Sequence, residues 1–278
     1  MPTTLEATQS QKISEFAQRG FVTVPAALSA EQVAFINHVI DEDLRESPDA
    51  WLGFNEALVQ SVDIIARTAA LDFTIENPRV LGFLRELLGE DVTFEEFEVM
   101  IREPTSQPQD FKGWHRDLIR NYDRRMEIGY ISVIYYLTDV TESDHCFSIV
   151  PGTHAGMVDL RPEDVKPGSE VDVLGAAGTA IIFHGRCIHS GKLKPQSRQR
   201  RTLHIYYWSA EHPRSSEWTP IPRRLFERSE PGLPPNLYAK YGLTDIVDGV
   251  GKRPPDLDPA MSVHDAIREV QRRAKLRM

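Results

Sequence analysis

Apolar side chains recur at helical spacing in the first ninety residues and predict helices joined by short turns. The first helix ends at Gly20, and residues 21–25, with the sequence FVTVP, then alternate like a short strand. A capping box of Ser29 and Gln32 predicts the start of a second helix. An asparagine cap, a proline at the first position and a terminal glycine delimit a third helix within residues 77–89.

From residue 92 onward the hydrophobic period changes to two, which is typical of β-strands. Four segments are rich in β-branched and aromatic residues. They are TFEEFEVMIRE at 93–103, GYISVIYYLTD at 129–139, GTAIIFHG at 178–185 and RTLHIYYW at 201–208. Helices followed by a dense β region predict a mainly β fold with flanking helices packed on its outside.

The chain after Trp208 is rich in proline, which predicts an extended arm. A last helix is predicted to begin at Ser262, where another capping pair occurs. A length of 278 residues suits one large domain. We therefore expect a single domain over residues 1–278, made of a helical part at 1–90, a β core at 91–208 and the arm with its helix at 209–278.

Charge and composition narrow the class of partner. The formal net charge of -9 gives no overall attraction to nucleic acid or to an anionic membrane surface. No apolar run is long enough to span a membrane and residues 1–16 lack a secretory pattern, so we expect a cytoplasmic protein. The only cysteines, Cys146 and Cys187, cannot form a cysteine-rich zinc site. A bound metal would need nitrogen and oxygen ligands.

The segment WHRD carries the first candidate ligands. If residues 114–117 are extended, His115 and Asp117 point to one face of the strand. The segment FHGRCIHSG supplies a third ligand, His189, expected at the end of a distant strand. Two histidines and one carboxylate are typical of non-haem Fe(II) oxygenases, although the same donors also bind zinc.

An arginine downstream of His189 suggests a cosubstrate. Arg200 is expected at the start of the next strand, where its guanidinium could bind a carboxylate in bidentate fashion. Strand alternation lets only one of Arg200 and Arg201 face inward. We favour Arg200, because Arg201 shares its face with the apolar positions 203, 205 and 207.

These segments, in this order, resemble the phytanoyl-CoA dioxygenase-like family of Fe(II)- and 2-oxoglutarate-dependent oxygenases. The matching pieces are FAQRGFVTVPAALSAEQV at 16–33, WHRD at 114–117, VPGTH at 150–154 and FHGRCIHSG at 183–191, followed by Arg200. Together they extend over most of the chain. One departure concerns the turn PGTH, since relatives usually have an Asn-Gly pair before it and this chain reads SDHCFSIV.

The resemblance implies a double-stranded β-helix core of the jelly-roll or cupin-like type. It also implies that His115, Asp117 and His189 bind Fe(II), and that Arg200 binds the distal carboxylate of 2-oxoglutarate. Ser132 stands where related enzymes often have a further hydroxyl contact to that carboxylate. The implied reaction consumes O₂ and 2-oxoglutarate, releases succinate and CO₂, and hydroxylates a C–H bond of a small metabolite.

Other reactions and functions are alternatives. Related halogenases replace the carboxylate ligand by a small residue, so the presence of Asp117 favours hydroxylation, desaturation or ring formation over halogenation. A catalytically silent or differently metallated binding protein of the same fold is a second hypothesis. A third is a demethylase of nucleic acid or protein, which the net acidity of the chain disfavours.

The sequence does not identify the substrate or the residues that bind it. Four arginines surround or follow the first ligand pair and could bind a polar substrate or form a solvated surface. They are Arg116, Arg120, Arg124 and Arg125.

Overall fold

The computed structural model describes the chain over residues 9–55, 57–106, 113–117, 130–155, 164–192, 194–209, 219, 221–228, 230–238 and 246–247. Three of the four arginines near the ligand pair, at positions 120, 124 and 125, lie outside these residues. The predicted helix from Ser262 also lies outside them, as does most of the proline-rich arm.

Three longer helices occupy the N-terminal part, as the hydrophobic pattern predicts. They are α1 (Gln9–Arg19), α2 (Ala30–Glu46) and α5 (Pro78–Leu88). Between α2 and α5 lie a 3₁₀ turn at Pro48–Ala50 and two single-turn helices, α3 (Ile64–Arg67) and α4 (Asp72–Ile75). Ser29 and Gln32 form the predicted capping box of α2. No helix in the described ranges combines the length and apolar character that a membrane crossing requires.

A seven-stranded antiparallel sheet forms the main layer of the fold. Its order is β1-β8-β5-β10-β4-β3-β2. The strands are β1 (Phe21–Val24), β2 (Leu52–Asn55), β3 (Leu58–Ser61), β4 (Val92–Arg102), β5 (Tyr130–Tyr136), β8 (Ala180–His184) and β10 (Arg200–Ser209). The longest strand pair joins β4 to β10, and β5 pairs with the other edge of β10.

The hairpin of β2 and β3 corrects the expectation that the first ninety residues contain only helices, turns and one short strand. Its second strand pairs with β4, so that Val59 stands opposite Ile101. Each strand is only four residues long. Such short strands depend on pairing with the sheet, and this pairing cannot be read from local sequence.

A second sheet of three strands, ordered β7-β6-β9, faces the first. Its strands are β6 (Cys146–Ile149), β7 (Val171–Val173) and β9 (His189–Lys192). The segment SDHCFSIV, which departs from the usual family sequence, therefore contains the central strand of this sheet. Phe147 of β6 and Phe183 of β8 contact each other across the two sheets, with their ring centroids 4.8 Å apart.

The two faces of the main sheet have different surroundings. One face packs with the helices in the largest hydrophobic cluster, to which β10 contributes Leu203, Ile205 and Tyr207. The alternate residues of β10 lie on the other face, which looks toward the small sheet. Beyond these strands, the described C-terminal part adds β11 (Ile221–Pro222), α6 (Arg223–Phe226) and β12 (Ile246–Val247). The predicted class, mainly β with helices on the outside, is confirmed.

Candidate active site

Three side chains converge on the inner face of the main sheet. One ligand atom of each of His115, Asp117 and His189 lies within 4.8 Å of the others. The Oδ1 atom of Asp117 is 3.2 Å from Nε2 of His189 and 3.6 Å from Nε2 of His115. His189 and Asp117 are largely buried, whereas the His115 side chain is 54% exposed. His115 is thus the most exposed member of the group.

Main-chain hydrogen bonds hold the two ligand segments together. The N–H of His115 donates to the carbonyl of His189 at 3.0 Å, and the N–H of His189 donates to the carbonyl of His115 at 2.9 Å. His189 begins strand β9, so the expectation that it ends a strand is corrected. The preceding strand β8 ends at His184, and a turn then leads to the second sheet.

The far side of each imidazole contacts a backbone carbonyl. Nδ1 of His115 lies 2.6 Å from the carbonyl oxygen of Gly113, and Nδ1 of His189 lies 3.0 Å from that of Cys187. Such contacts place the ring proton on Nδ1 and leave Nε2 with a free lone pair. Both Nε2 atoms face Asp117, as a metal ligand set requires.

Ser132 contacts Asp117, while its expected contact to the distal carboxylate of 2-oxoglutarate stays a prediction. Its hydroxyl donates to Oδ2 of Asp117 at 2.7 Å, which fixes the orientation of the carboxylate. Burial alone would raise the pKa of Asp117, but His189, His115 and the Ser132 hydroxyl outweigh burial and lower it to about 2. Asp117 is therefore an anion at neutral pH.

Arg200 and Arg201 lie on opposite faces of β10. Arg200 is buried on the inner face, with its guanidinium carbon 5.5 Å from the ring centroid of Tyr136. Its Nε atom has no hydrogen-bond partner within the described residues. Arg201 points to α2, where it donates to Asp41 at 2.7 Å.

A second arginine, Arg102, stands directly opposite Arg200 in the pairing of β4 with β10. Burial and the neighbouring Arg200 lower the pKa of Arg102 to about 10. Burial and Arg200 also lower the pKa of His204 to about 3, and with Arg102 they lower that of His145 to about 4. Within the described ranges, neither arginine forms an ion pair with a carboxylate. The space beside Arg102 and Arg200 can therefore accept an anion.

The other residues that the sequence singled out near the site lie outside the His–Asp–His group. Arg116 donates to the carbonyl oxygens of Thr153 and Arg186, so it connects the WHRD segment to two turns. His184 and His154 are not among the three converging ligands. Cys187 is fully buried, and burial raises the pKa of its thiol to about 12.

Two further site residues, Arg102 and Glu98, were not identified from the sequence. Both lie on β4, on the same face as Arg200 and His204 of the paired strand. The strand period of two places them on one face, but only the register with β10 reveals which side chains they meet. Burial and the charge of Asp117 raise the pKa of Glu98 to about 8.

Residues 16–202 match the phytanoyl-CoA dioxygenase (PhyH) family. The L-proline trans-4-hydroxylase of Streptomyces griseoviridis is 24% identical over 237 residues, which cover 69% of this chain and 83% of that protein. A probable alpha-ketoglutarate-dependent hypophosphite dioxygenase of Stutzerimonas stutzeri is 21% identical over 230 residues, which cover 71% of this chain and 77% of that protein.

Among solved structures, the epimerase SnoN in complex with Fe3+, alpha ketoglutarate and nogalamycin RO superposes with a TM-score of 0.60. It is 18% identical in sequence, and the match covers 88% of this chain and 95% of that chain. This likeness concerns the fold, and it agrees with the predicted double-stranded β-helix core.

The family match covers more than half of the chain and includes His115, Asp117, His189 and Arg200. With the site formed by two histidines and one aspartate, it agrees with the predicted Fe(II) and 2-oxoglutarate cofactors. The chain belongs to the phytanoyl-CoA dioxygenase family.

Proposed function

We propose that this protein is an Fe(II)- and 2-oxoglutarate-dependent oxygenase that hydroxylates a C–H bond of a small metabolite. The observation that carries the proposal is that the His–Asp–His group and the buried Arg200 both lie between the two sheets. Two imidazoles and a carboxylate are the donor set of non-haem Fe(II) oxygenases. The buried guanidinium adds an anion-binding group, which a simple zinc hydrolase site would not need.

His115, Asp117 and His189 would hold Fe(II) through Nε2, a carboxylate oxygen and Nε2. Arg200 would bind the distal carboxylate of 2-oxoglutarate, and Arg102 would add a second positive charge to this anion site. When bound, iron with 2-oxoglutarate and O₂ supplies an oxidant for the substrate C–H bond and yields succinate and CO₂. Ser132 would act on the carboxylate ligand through its hydrogen bond to Asp117.

Three features favour oxidation of a small molecule over halogenation and over action on a macromolecule. Asp117 occupies the carboxylate position that halogenating relatives leave vacant. The relatives are named for small substrates, proline and hypophosphite, and SnoN was crystallised with nogalamycin RO. The net charge of -9 disfavours nucleic acid as a substrate. The predicted cytoplasmic location stays a prediction.

The test begins with anaerobic addition of Fe(II) and 2-oxoglutarate to the purified protein. We expect a visible metal-to-ligand absorption band, and metabolites can then be screened for those that perturb it and increase succinate formation. Asp117→Ala should abolish succinate formation with such a metabolite, because the only carboxylate of the ligand set is lost. Asp49→Ala, a change at an exposed helical turn, is the matched control.

Two results would contradict the proposal. One is full activity of Asp117→Ala, which would remove Asp117 from the metal site. The other is the absence of both the absorption band and 2-oxoglutarate binding in the protein loaded with Fe(II).

A further inference from the structure

Glu98 is an acidic side chain inside the site that metal and 2-oxoglutarate binding leave unused. It lies on β4 directly opposite His204 of β10. The residues on either side of it, Phe97 and Val99, belong to the core on the outer face of the sheet. Strand alternation therefore turns Glu98 toward the inner face, on the side of Asp117 and Ser132.

One oxygen of the Glu98 carboxylate lacks a partner. The carboxylate accepts hydrogen bonds from the side chains of Tyr206 and Gln60. Its Oε2 atom is buried and has no hydrogen-bond partner in the part of the chain that the structure describes. Buried polar atoms nearly always have partners, so an orphan carboxylate oxygen beside a metal site indicates a missing donor.

In the described part of the chain, no lysine or arginine forms an ion pair with Glu98. Burial and the negative charge of Asp117 raise the pKa of Glu98 to about 8, so a neighbouring cation is needed to keep this carboxylate ionised at neutral pH. Arg102 lies on the same face of β4 but four residues further on, about 13 Å along the strand. A group that carries both a positive charge and N–H donors would satisfy Oε2 and offset the two carboxylates.

Aromatic rings border this end of the site. Tyr130 stacks on Tyr206 at a centroid distance of 5.8 Å and meets Trp208 edge to face at 4.8 Å. These three residues form a separate hydrophobic cluster. Aromatic side chains near a carboxylate suit the alkyl body and the charge of an organic ammonium ion.

We infer that Glu98, with Gln60 and Tyr206, forms a substrate subsite that binds a protonated primary or secondary amine. The inference rests on the proposed function, since the subsite adjoins the proposed metal ligands. It deepens that function by giving the chemical class of the substrate. The site then has an anionic end at Glu98 for the substrate and a cationic end at Arg102 and Arg200 for the cosubstrate.

The experiment uses the full chain, loaded anaerobically with Fe(II) and 2-oxoglutarate, and matched pairs of probes. Each pair is an amine and its neutral N-acetyl derivative: pyrrolidine, cyclohexylamine and benzylamine with their acetamides. Binding is measured by perturbation of the absorption band and by calorimetry. We expect the amines to bind more tightly than their acetyl derivatives, because only the amines carry a positive charge.

Glu98→Gln keeps the size of the side chain and removes its charge. We expect this change to weaken the binding of amines about ten-fold or more, as for the loss of a charge-assisted hydrogen bond, and to leave the acetamides nearly unaffected. Glu90→Gln, the same substitution at an exposed position after α5, is the control. It should change neither the binding of the amines nor that of the acetamides.

Three outcomes overturn the inference. They are equal or tighter binding of the acetamides to the unaltered protein, unchanged binding of amines to Glu98→Gln, and no binding of any amine up to its solubility limit. The comparison of each amine with its acetamide needs no variant, so it stands even if Glu98→Gln fails to fold. Failure of the absorption band to form in the unaltered protein contradicts the proposed function instead.

Discussion

Arg200 and Arg201 are adjacent in sequence, yet they have opposite surroundings. Arg200 is buried on the inner face, while Arg201 pairs with Asp41 of α2 at 2.7 Å. The Asp41 side chain is 57% exposed, and an exposed ion pair of this kind contributes little stability. The two residues therefore provide a matched pair for testing the anion site.

Replacement of Arg200 by Ala should weaken 2-oxoglutarate binding by roughly 2 to 5 kcal/mol, because the distal carboxylate would be buried without its partner. Arg201→Ala should leave the affinity close to that of the unaltered protein. Anaerobic calorimetry with Fe(II) present measures both dissociation constants. A larger loss in Arg201→Ala than in Arg200→Ala would assign the cosubstrate to the outer arginine.

The grouping of His115, Asp117 and His189 could be expected from sequence, because their segments resemble those of the family in the same order. His115 and Asp117 are two residues apart, and the choice between Arg200 and Arg201 follows from the apolar residues beyond them. Glu98 and Arg102 could not be singled out in this way, because their strand TFEEFEVMIRE contains several charged residues and the sequence does not show which of them face the site. The role of each residue depends on its neighbour across the strand pair. Only the register between β4 and β10 shows that Glu98 lies opposite His204 and Arg102 opposite Arg200.

At the scale of secondary structure elements, the start of α5 is held by one side chain. The Asn77 side-chain oxygen accepts from the N–H groups of Arg79 and Val80 at 3.0 and 3.3 Å. Its amide also donates to the carbonyl of Ala27 at 2.8 Å, and the residue is buried. Asn77 thus caps the helix and joins it to the segment after β1.

Asn77→Ala should lower the free energy of unfolding by about 1 to 3 kcal/mol, since it removes the cap and leaves a buried carbonyl without a donor. Asn77→Ser keeps a capping oxygen and introduces no buried charge, so its loss should be smaller. Urea unfolding followed by circular dichroism measures both. Equal stability of Asn77→Ala and the unaltered protein would show that the cap contributes nothing.

The elements that the sequence did not predict share one property, which is their dependence on distant partners. The hairpin of β2 and β3 extends the main sheet through β4. Strand β6 is four residues long, fully buried, and lies between β7 and β9. Long helices with caps carry their own signal, whereas short strands become strands through their neighbours.

At the scale of the whole molecule, binding of a metal should stabilise the fold. A ligand that binds only the native state at one hundred times its dissociation constant adds about 2.7 kcal/mol. For a protein of this size that corresponds to an increase in Tm of roughly 5 °C. The increase should appear on anaerobic addition of Fe(II) and disappear with EDTA.

Asp117→Ala is the variant that separates site binding from nonspecific metal effects. It should show no increase in Tm with Fe(II), because one of the three ligands is missing. Scanning calorimetry with and without the metal gives the comparison. An equal increase in both proteins would locate the metal elsewhere in the chain.

The reciprocal main-chain hydrogen bonds between His115 and His189 have a consequence for how this protein can evolve. Peptide groups hold the two segments together, so substitution of a ligand side chain leaves that connection in place. A descendant that lost a ligand would keep its scaffold and stay open to selection for another chemistry. Inheritance of the architecture is thus separate from inheritance of the reaction.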